Sequence, residues 1–113
     1  MAANGFVAEV RRMDEVAVVD LAGDLDGSAE KSLNEAWQAV GDVSVVVLNF
    51  SAASYINSTG IALIVGLLGR ARVEKKLIRA FGLTDHYREI FEITRLADFI
   101  EMHHDEEQAT TSP

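Results

Sequence analysis

The 113-residue chain contains no cysteine. Disulfide bridges, thiol catalysis and thiolate zinc sites are therefore excluded. Cations are scarce as well: ten Lys and Arg stand against eighteen Asp and Glu, a net charge of −8. A surface that grips duplex nucleic acid needs clustered Lys and Arg, so no nucleic-acid partner is expected. An anionic membrane face is disfavoured for the same reason. A soluble partner with some basic surface fits better, with charge speeding the encounter. Long apolar runs are missing too. The longest, Ile61 to Gly69, is too short to cross a bilayer, so membrane insertion is not expected. The start, Met1-Ala2-Ala3-Asn4-Gly5, lacks the basic and apolar blocks of a leader, and a soluble cytoplasmic protein is the expectation. About half of the residues are apolar, enough for a real core in one compact domain.

The apolar pattern alternates between strand and helix periods. Phe6 to Arg11 reads as an edge strand, Asp14-Glu15 as a turn, and Val16 to Ala22 as a second strand, which together make a hairpin. Gly23 to Gly27 reads as a loop. Ser28 is placed to cap a helix over Ala29 to Val40, with Leu33, Ala36, Trp37 and Val40 inward and Gly41 at its end. Ser44 to Asn49 is a near-continuous apolar run, as in a strand covered on both faces. Ser51 to Asn57 reads as a loop, Ser58 to Glu74 as the second long helix, and Leu77 to Phe81 as another strand. A third helix over His86 to Ile93, a short last strand over Leu96 to Met102 and a final helical turn from Asp105 to Gln108 follow. The order ββαβαβαβ(α) implies an α/β fold: a mixed β-sheet with parallel central pairs and helices packed mainly on one face. The domain is expected to span residues 6–108, with 109–113 a flexible tail.

The most informative stretch is Ile56-Asn57-Ser58-Thr59-Gly60, where a strand hands over to a helix opening on two hydroxyls. A helix N-terminus leaves N–H groups unpaired and favours an anion, including a phosphate added to a side chain. Ser58 is thus either an ordinary helix cap or a phosphorylation switch. A hydrolase elbow would read G-x-S-x-G, but Ile56 stands two residues before Ser58. The histidines are His86, His103 and His104, and the latter two, as neighbours in a strand, would face opposite sides. No catalytic residue, metal site or cofactor is assigned: no ligand spacing is present, and the Asp24-x-Asp26 pair reads most simply as a solvated turn. In the second helix, Ile61, Ile64, Val65 and Leu68 are spaced to pack on the sheet. Ala62, Leu63, Gly66 and Leu67 are then either covered by neighbouring helices or exposed to a partner.

Three segments carry a family resemblance over roughly residues 6–108. They are Gly23-Asp24-Leu25-Asp26 with Ala29 and Leu33; Leu48-Asn49-Phe50-Ser51 through Tyr55-Ile56-Asn57-Ser58-Thr59-Gly60-Ile61-Ala62-Leu63; and Phe81-Gly82-Leu83 with Phe91 to Leu96. The chain resembles the STAS domain, and specifically the anti-sigma-factor antagonists of bacteria. The resemblance implies a non-enzymatic protein that binds an anti-sigma factor, often itself a serine kinase, and so frees a sigma factor for transcription. It implies that the kinase phosphorylates Ser58 to block binding and that a phosphatase restores it. Asp24, Asp26, Asn57, Thr59 and Gly60 would lie near the phosphorylation site, and Tyr55, Ile56, Ala62, Leu63 and Gly66 would meet the partner. The chain departs from the family pattern at Asn49 and Asn57, where acids are usual. The alternative is a non-switching STAS module of a lipid-transport or stress-signalling assembly. A weak homodimer stays open.

Overall fold

The computed structural model describes residues 5–111. Strands β1 (Val7–Met13) and β2 (Val16–Leu25) form an antiparallel hairpin whose register runs from Val7 opposite Ala22 to Met13 opposite Val16. Helix α1 (Glu30–Val40) leads to β3 (Val45–Ile56), α2 (Ser58–Glu74) to β4 (Leu77–Phe81), and α3 (Asp85–Ile93) to the two-residue β5 (Glu101–Met102). A short α4 (Glu106–Thr110) closes the described chain. The five strands lie in the order β1-β2-β3-β4-β5, and every pair after the hairpin is parallel. Parallel neighbours need crossover connections, and α1, α2 and α3 supply them. None of these helices is long and apolar enough to cross a membrane.

Alternation along the strands divides the core between the two faces of the sheet. Ala17, Val19, Val46, Leu48, Ile78 and Ala80 are buried in the main core with Leu33, Trp37 and Val40 of α1, Ile64 and Leu67 of α2, and Phe91 of α3. Val16, Val18, Val45, Val47 and Phe81 form a smaller cluster on the other face, covered by Ala109 of α4. Helices α1 and α2 are also tied by polar contacts. The Trp37 indole N–H donates to the Glu74 carboxylate at 3.1 Å, and Arg70 donates to Asn34 at 2.8 Å while its guanidinium lies over the Trp37 ring.

The mixed sheet, the element order and the helices mainly on one face match the sequence-based expectation, and five local readings are corrected. First, Ser51 to Asn57 is not a loop: β3 runs on to Ile56, and β2 follows it to Leu25, so Asp24 pairs in register with Tyr55. This extension is polar because much of it is solvent-facing. Second, the turn before α1 is capped by Asp26, not Ser28. The Asp26 carboxylate accepts the Ser28 N–H, a 3-10 turn covers Gly27–Ala29, and α1 begins at Glu30. Third, α2 is rotated: Gly60, Ile64, Leu67 and Ala71 face inward, whereas Val65 is 48% exposed. Fourth, residues 109–111 are not a loose tail. Ala109 is buried, and the Arg79 guanidinium donates to the Ala109 and Thr111 carbonyls at 3.0 and 2.8 Å. Residues 112–113 of the expected tail lie outside the described residues. Fifth, the last strand is confined to Glu101–Met102: a 3-10 turn covers Leu96–Asp98, and Leu96 and Ile100 are buried in the core.

Candidate functional site

The site is built where β3 hands over to α2. Ile56 ends the strand and is buried, which plants the turn in the core. Asn57 leaves in extended backbone, and its side-chain oxygen accepts the Gly60 N–H at 2.8 Å. Asparagine is among the preferred residues for this N-cap, which satisfies one of the helix's orphan donors. Ser58, Thr59 and Gly60 then form the first turn. The cap is therefore Asn57, and the Ser58 hydroxyl is spared that duty.

Gly60 couples the turn to the hairpin. A Cβ there would lie 2.8 Å from the Leu25 carbonyl carbon and closer still to its oxygen. Any other residue would push α2 off the end of β2. The Asn57 N–H donates to the same Leu25 carbonyl at 3.3 Å. Beside it, a Cβ on Gly27 would sit 3.4 Å from the Thr59 methyl. The end of β2, the Asp26 turn and the first turn of α2 thus form one continuous surface. The close approach at Gly60 also sets the rotation of α2, and so decides which of its many apolar residues turn inward.

From the other side, the Tyr87 hydroxyl of α3 accepts the Ile56 N–H at 3.0 Å. Helical spacing alone assigns Tyr87 to the core and does not reveal this positioning role. The available signal is chemical: a tyrosine at an inward helical position needs a partner for its hydroxyl.

The structure brings together most of the residues singled out from the sequence. Ser58, Thr59, Asp24, Ala62 and Gly66 are exposed, Tyr55 is 53% exposed, and Asp26 and Asn57 are half-buried. One expected contact residue is corrected, and a second is shared with the core. Ile56 is buried in the core and presents no side chain to a partner. Leu63 is half-buried and packs against the core, so it serves the fold at least in part. Gly60 is buried beneath the site rather than displayed on it. A cleft of about 140 Å³ between α1 and α2, lined by Asn34, Ala62, Leu63 and Gly66, continues the surface along α2.

Electrostatics divide the site. The Ser28 hydroxyl and N–H donate to the Asp26 carboxylate at 2.6 and 2.9 Å, and they hold its carboxyl below the usual carboxylate range. Asp26 is thus ionised at neutral pH, close to an exposed hydroxyl at the positive end of α2. Among the described residues, Ser58 makes no side-chain hydrogen bond, to a histidine or any other group. The nearest chemistry is therefore not that of an activated nucleophile. It is that of an accessible acceptor hydroxyl, with the first N–H groups of a helix ready to take an added anion.

Comparison with known proteins identifies the family and the fold. The sequence model of the family described as "Mlab, STAS domain" matches residues 8–102. The anti-sigma-B factor antagonist of Listeria monocytogenes is 32% identical over 84 residues, covering 73% of this chain and 74% of that protein. The crystal structure of an anti-sigma factor antagonist from Mycobacterium paratuberculosis superposes with a TM-score of 0.80 at 20% identity, covering 96% of this chain and 93% of that one. The Bacillus cell fate determinant SpoIIAA, in its phosphorylated form, superposes with a TM-score of 0.64 at 21% identity over 92% of this chain and 96% of that one. By sequence, with the fold in agreement, the chain belongs to the STAS domain family.

Proposed function

We propose that this protein is an anti-sigma-factor antagonist. It acts by binding, not by catalysis, and phosphorylation of Ser58 switches it off. The carrying observation is the exposure of Ser58 on the first turn of α2, with the cap supplied by Asn57 and the turn locked to β2 through Gly60. The Listeria relative bears the antagonist name, and SpoIIAA, of the same fold, is known in a phosphorylated form. The partner is an anti-sigma factor with serine kinase activity. A phosphatase reverses the modification, in keeping with a soluble, cytoplasmic signalling cycle. Its docking surface is Tyr55, Ser58, Thr59, Ala62 and Gly66, bordered by Asp24 and Asp26.

The switch follows from charge. A phosphate adds roughly −1.5 to −2 charges near neutral pH. The helix N-terminus accommodates that charge, so the free fold changes little. A partner shaped for a neutral hydroxyl must instead desolvate or repel it. A loss of about 3 kcal/mol lowers affinity by roughly a hundredfold, enough to dissolve a regulatory complex.

The test is incubation with ATP and a serine-kinase anti-sigma factor from the same organism, with the phosphate located by mass spectrometry and binding measured before and after. Ser58→Ala should bind persistently and resist the kinase, and Ser58→Glu should bind weakly. Asn49 and Asn57, where the resemblance leads to an expectation of acids, favour a second reading as a non-switching interaction module. Absence of phosphate, with binding unmoved by Ser58→Glu, would select that module.

A further inference from the structure

At the far end of α2 lies a surface that the Ser58 site does not use. Ser58 and Arg72 are about 21 Å apart along the helix axis. Here α2, β4 and the segment after α3 enclose an open groove of about 650 Å³. Its lining includes Val65, Leu68, Ile78 and Leu96, with Phe99 at the lip. Phe99 is 63% exposed, and Ile93, at the end of α3 just before the groove residues Thr94 and Arg95, is 72% exposed. Two bulky apolar side chains held in water beside an apolar groove mark an interface.

Charge identifies the occupant. The groove lining carries Arg72, Lys76 and Arg95 and no acid, in a protein of net charge −8. Lys76 is committed to the fold, donating to the Gly41 and Val43 carbonyls. Arg95 shares only its Nε with Asp98, at 2.7 Å, and Arg72 is exposed with no side-chain partner among the described residues. The groove therefore suits an apolar surface that carries carboxylates. Helix α3 displays such a surface: Glu89 and Ile93 lie one turn apart on the same side, Glu92 adjoins them, and all three are exposed. The acidic apolar edge and the basic apolar groove are neighbours on one molecule, which makes the face self-complementary, as a two-fold contact requires.

Gly69 points the same way. It lines the groove, and a Cβ built on it meets nothing within 4 Å. The monomer gains nothing from glycine there, yet glycine in a helix interior weakens it relative to alanine. A close approach from outside accounts for the residue.

We propose that this groove is a self-association surface. In a two-fold dimer, Ile93 and Phe99 of one copy enter the groove of the other, and Glu89 and Glu92 meet Arg72 and Arg95. The contact is distinct from the Ser58 surface and leaves it open in both copies.

The experiment is analytical ultracentrifugation of the full chain from about 1 µM to about 1 mM at near-physiological salt, where the net negative charge is screened. The mass should rise from 12.3 kDa toward twice that value. Phe99→Asp should weaken association at least roughly thirtyfold. Arg72→Glu should weaken it as well, and Arg72→Glu combined with Glu89→Arg should recover part of the loss. If Phe99→Asp alters the circular dichroism, the charge-reversal pair decides. A wild-type mass that stays at 12.3 kDa throughout, or a dimer indifferent to Arg72→Glu, overturns the proposal.

Discussion

Asn49 donates a side-chain hydrogen bond to the Asp20 carboxylate at 2.8 Å, and its own side-chain oxygen accepts the Ser51 N–H at 2.9 Å. Both halves of the amide are used, one as donor and one as acceptor. This explains why an amide fits position 49. A carboxylate at 49 would keep the bond to Ser51 but would face Asp20 with a second negative charge. Asn49→Asp should therefore cost about 1–3 kcal/mol at neutral pH, through the lost bond and the like-charge contact. The contact raises the pKa of the new pair, so the deficit should shrink as acid protonates it. Urea denaturation of both proteins at several pH values measures this, and a deficit that grows in acid would contradict it.

Asp20 belongs to a wider network. The Arg11 guanidinium donates to Asp20 at 2.7 Å and to Glu106 of α4 at 2.8 Å. Arg11 is the main reason both carboxyls titrate below their usual range; Asn49 adds to the effect on Asp20, and partial burial opposes it in both. A lowered folded-state pKa gives stability that is present above the unfolded value, near pH 4, and lost as the pH falls through the folded one. Arg11→Met should therefore cost stability at neutral pH and nothing in strong acid. Because these groups are partly exposed and screened by salt, the difference should be about 1 kcal/mol or less. Thermal melts of the two proteins between about pH 2 and pH 7 check the sign.

Arg79 holds α4 from beneath. It is the buried charged side chain among the described residues, and it pairs with Glu101 at 3.0 Å besides its two backbone acceptors. Arg79→Met keeps much of the volume but strands those carbonyls, and should cost about 2–4 kcal/mol. Loosening α4 would uncover Val16, Val18, Val45, Val47 and Phe81. Hydrogen exchange should show lost protection in α4 first, with the Ser58 turn unaffected. Equal loss at both places would show that α4 is not a separate strap.

Gly66 separates folding from binding. An added Cβ meets nothing within 4 Å, so Gly66→Ala should stabilise the monomer by about 0.5–1 kcal/mol. The residue is exposed and lines the cleft that continues from the Ser58 surface. If the anti-sigma partner approaches closely there, the same change should weaken binding while raising Tm. A binding titration beside a thermal melt reads both, and unchanged affinity would place the partner elsewhere on α2.

Local features that report themselves were legible in the chain. The alternating or continuous apolar runs of Val16 to Leu21 and Val45 to Leu48 marked strands. The spacing of Leu33, Ala36, Trp37 and Val40 oriented α1, and the order Ile56-Asn57-Ser58-Thr59-Gly60 placed an exposed hydroxyl at the start of a helix. Each signal lies within a few residues, where backbone geometry and side-chain period act directly. Other features depended on partners distant in sequence. The polar stretch Ser51 to Tyr55 became strand because β2 pairs with it. Helix α2 is apolar all round, so its own pattern could not choose a buried face; the contact of Gly60 with Leu25 chose it. Residues 109–111 read as a polar tail until Arg79, thirty residues earlier, supplied donors for their carbonyls. Only tertiary structure could decide these points, because a backbone group or helix face has no fixed preference until the fold brings a partner to it.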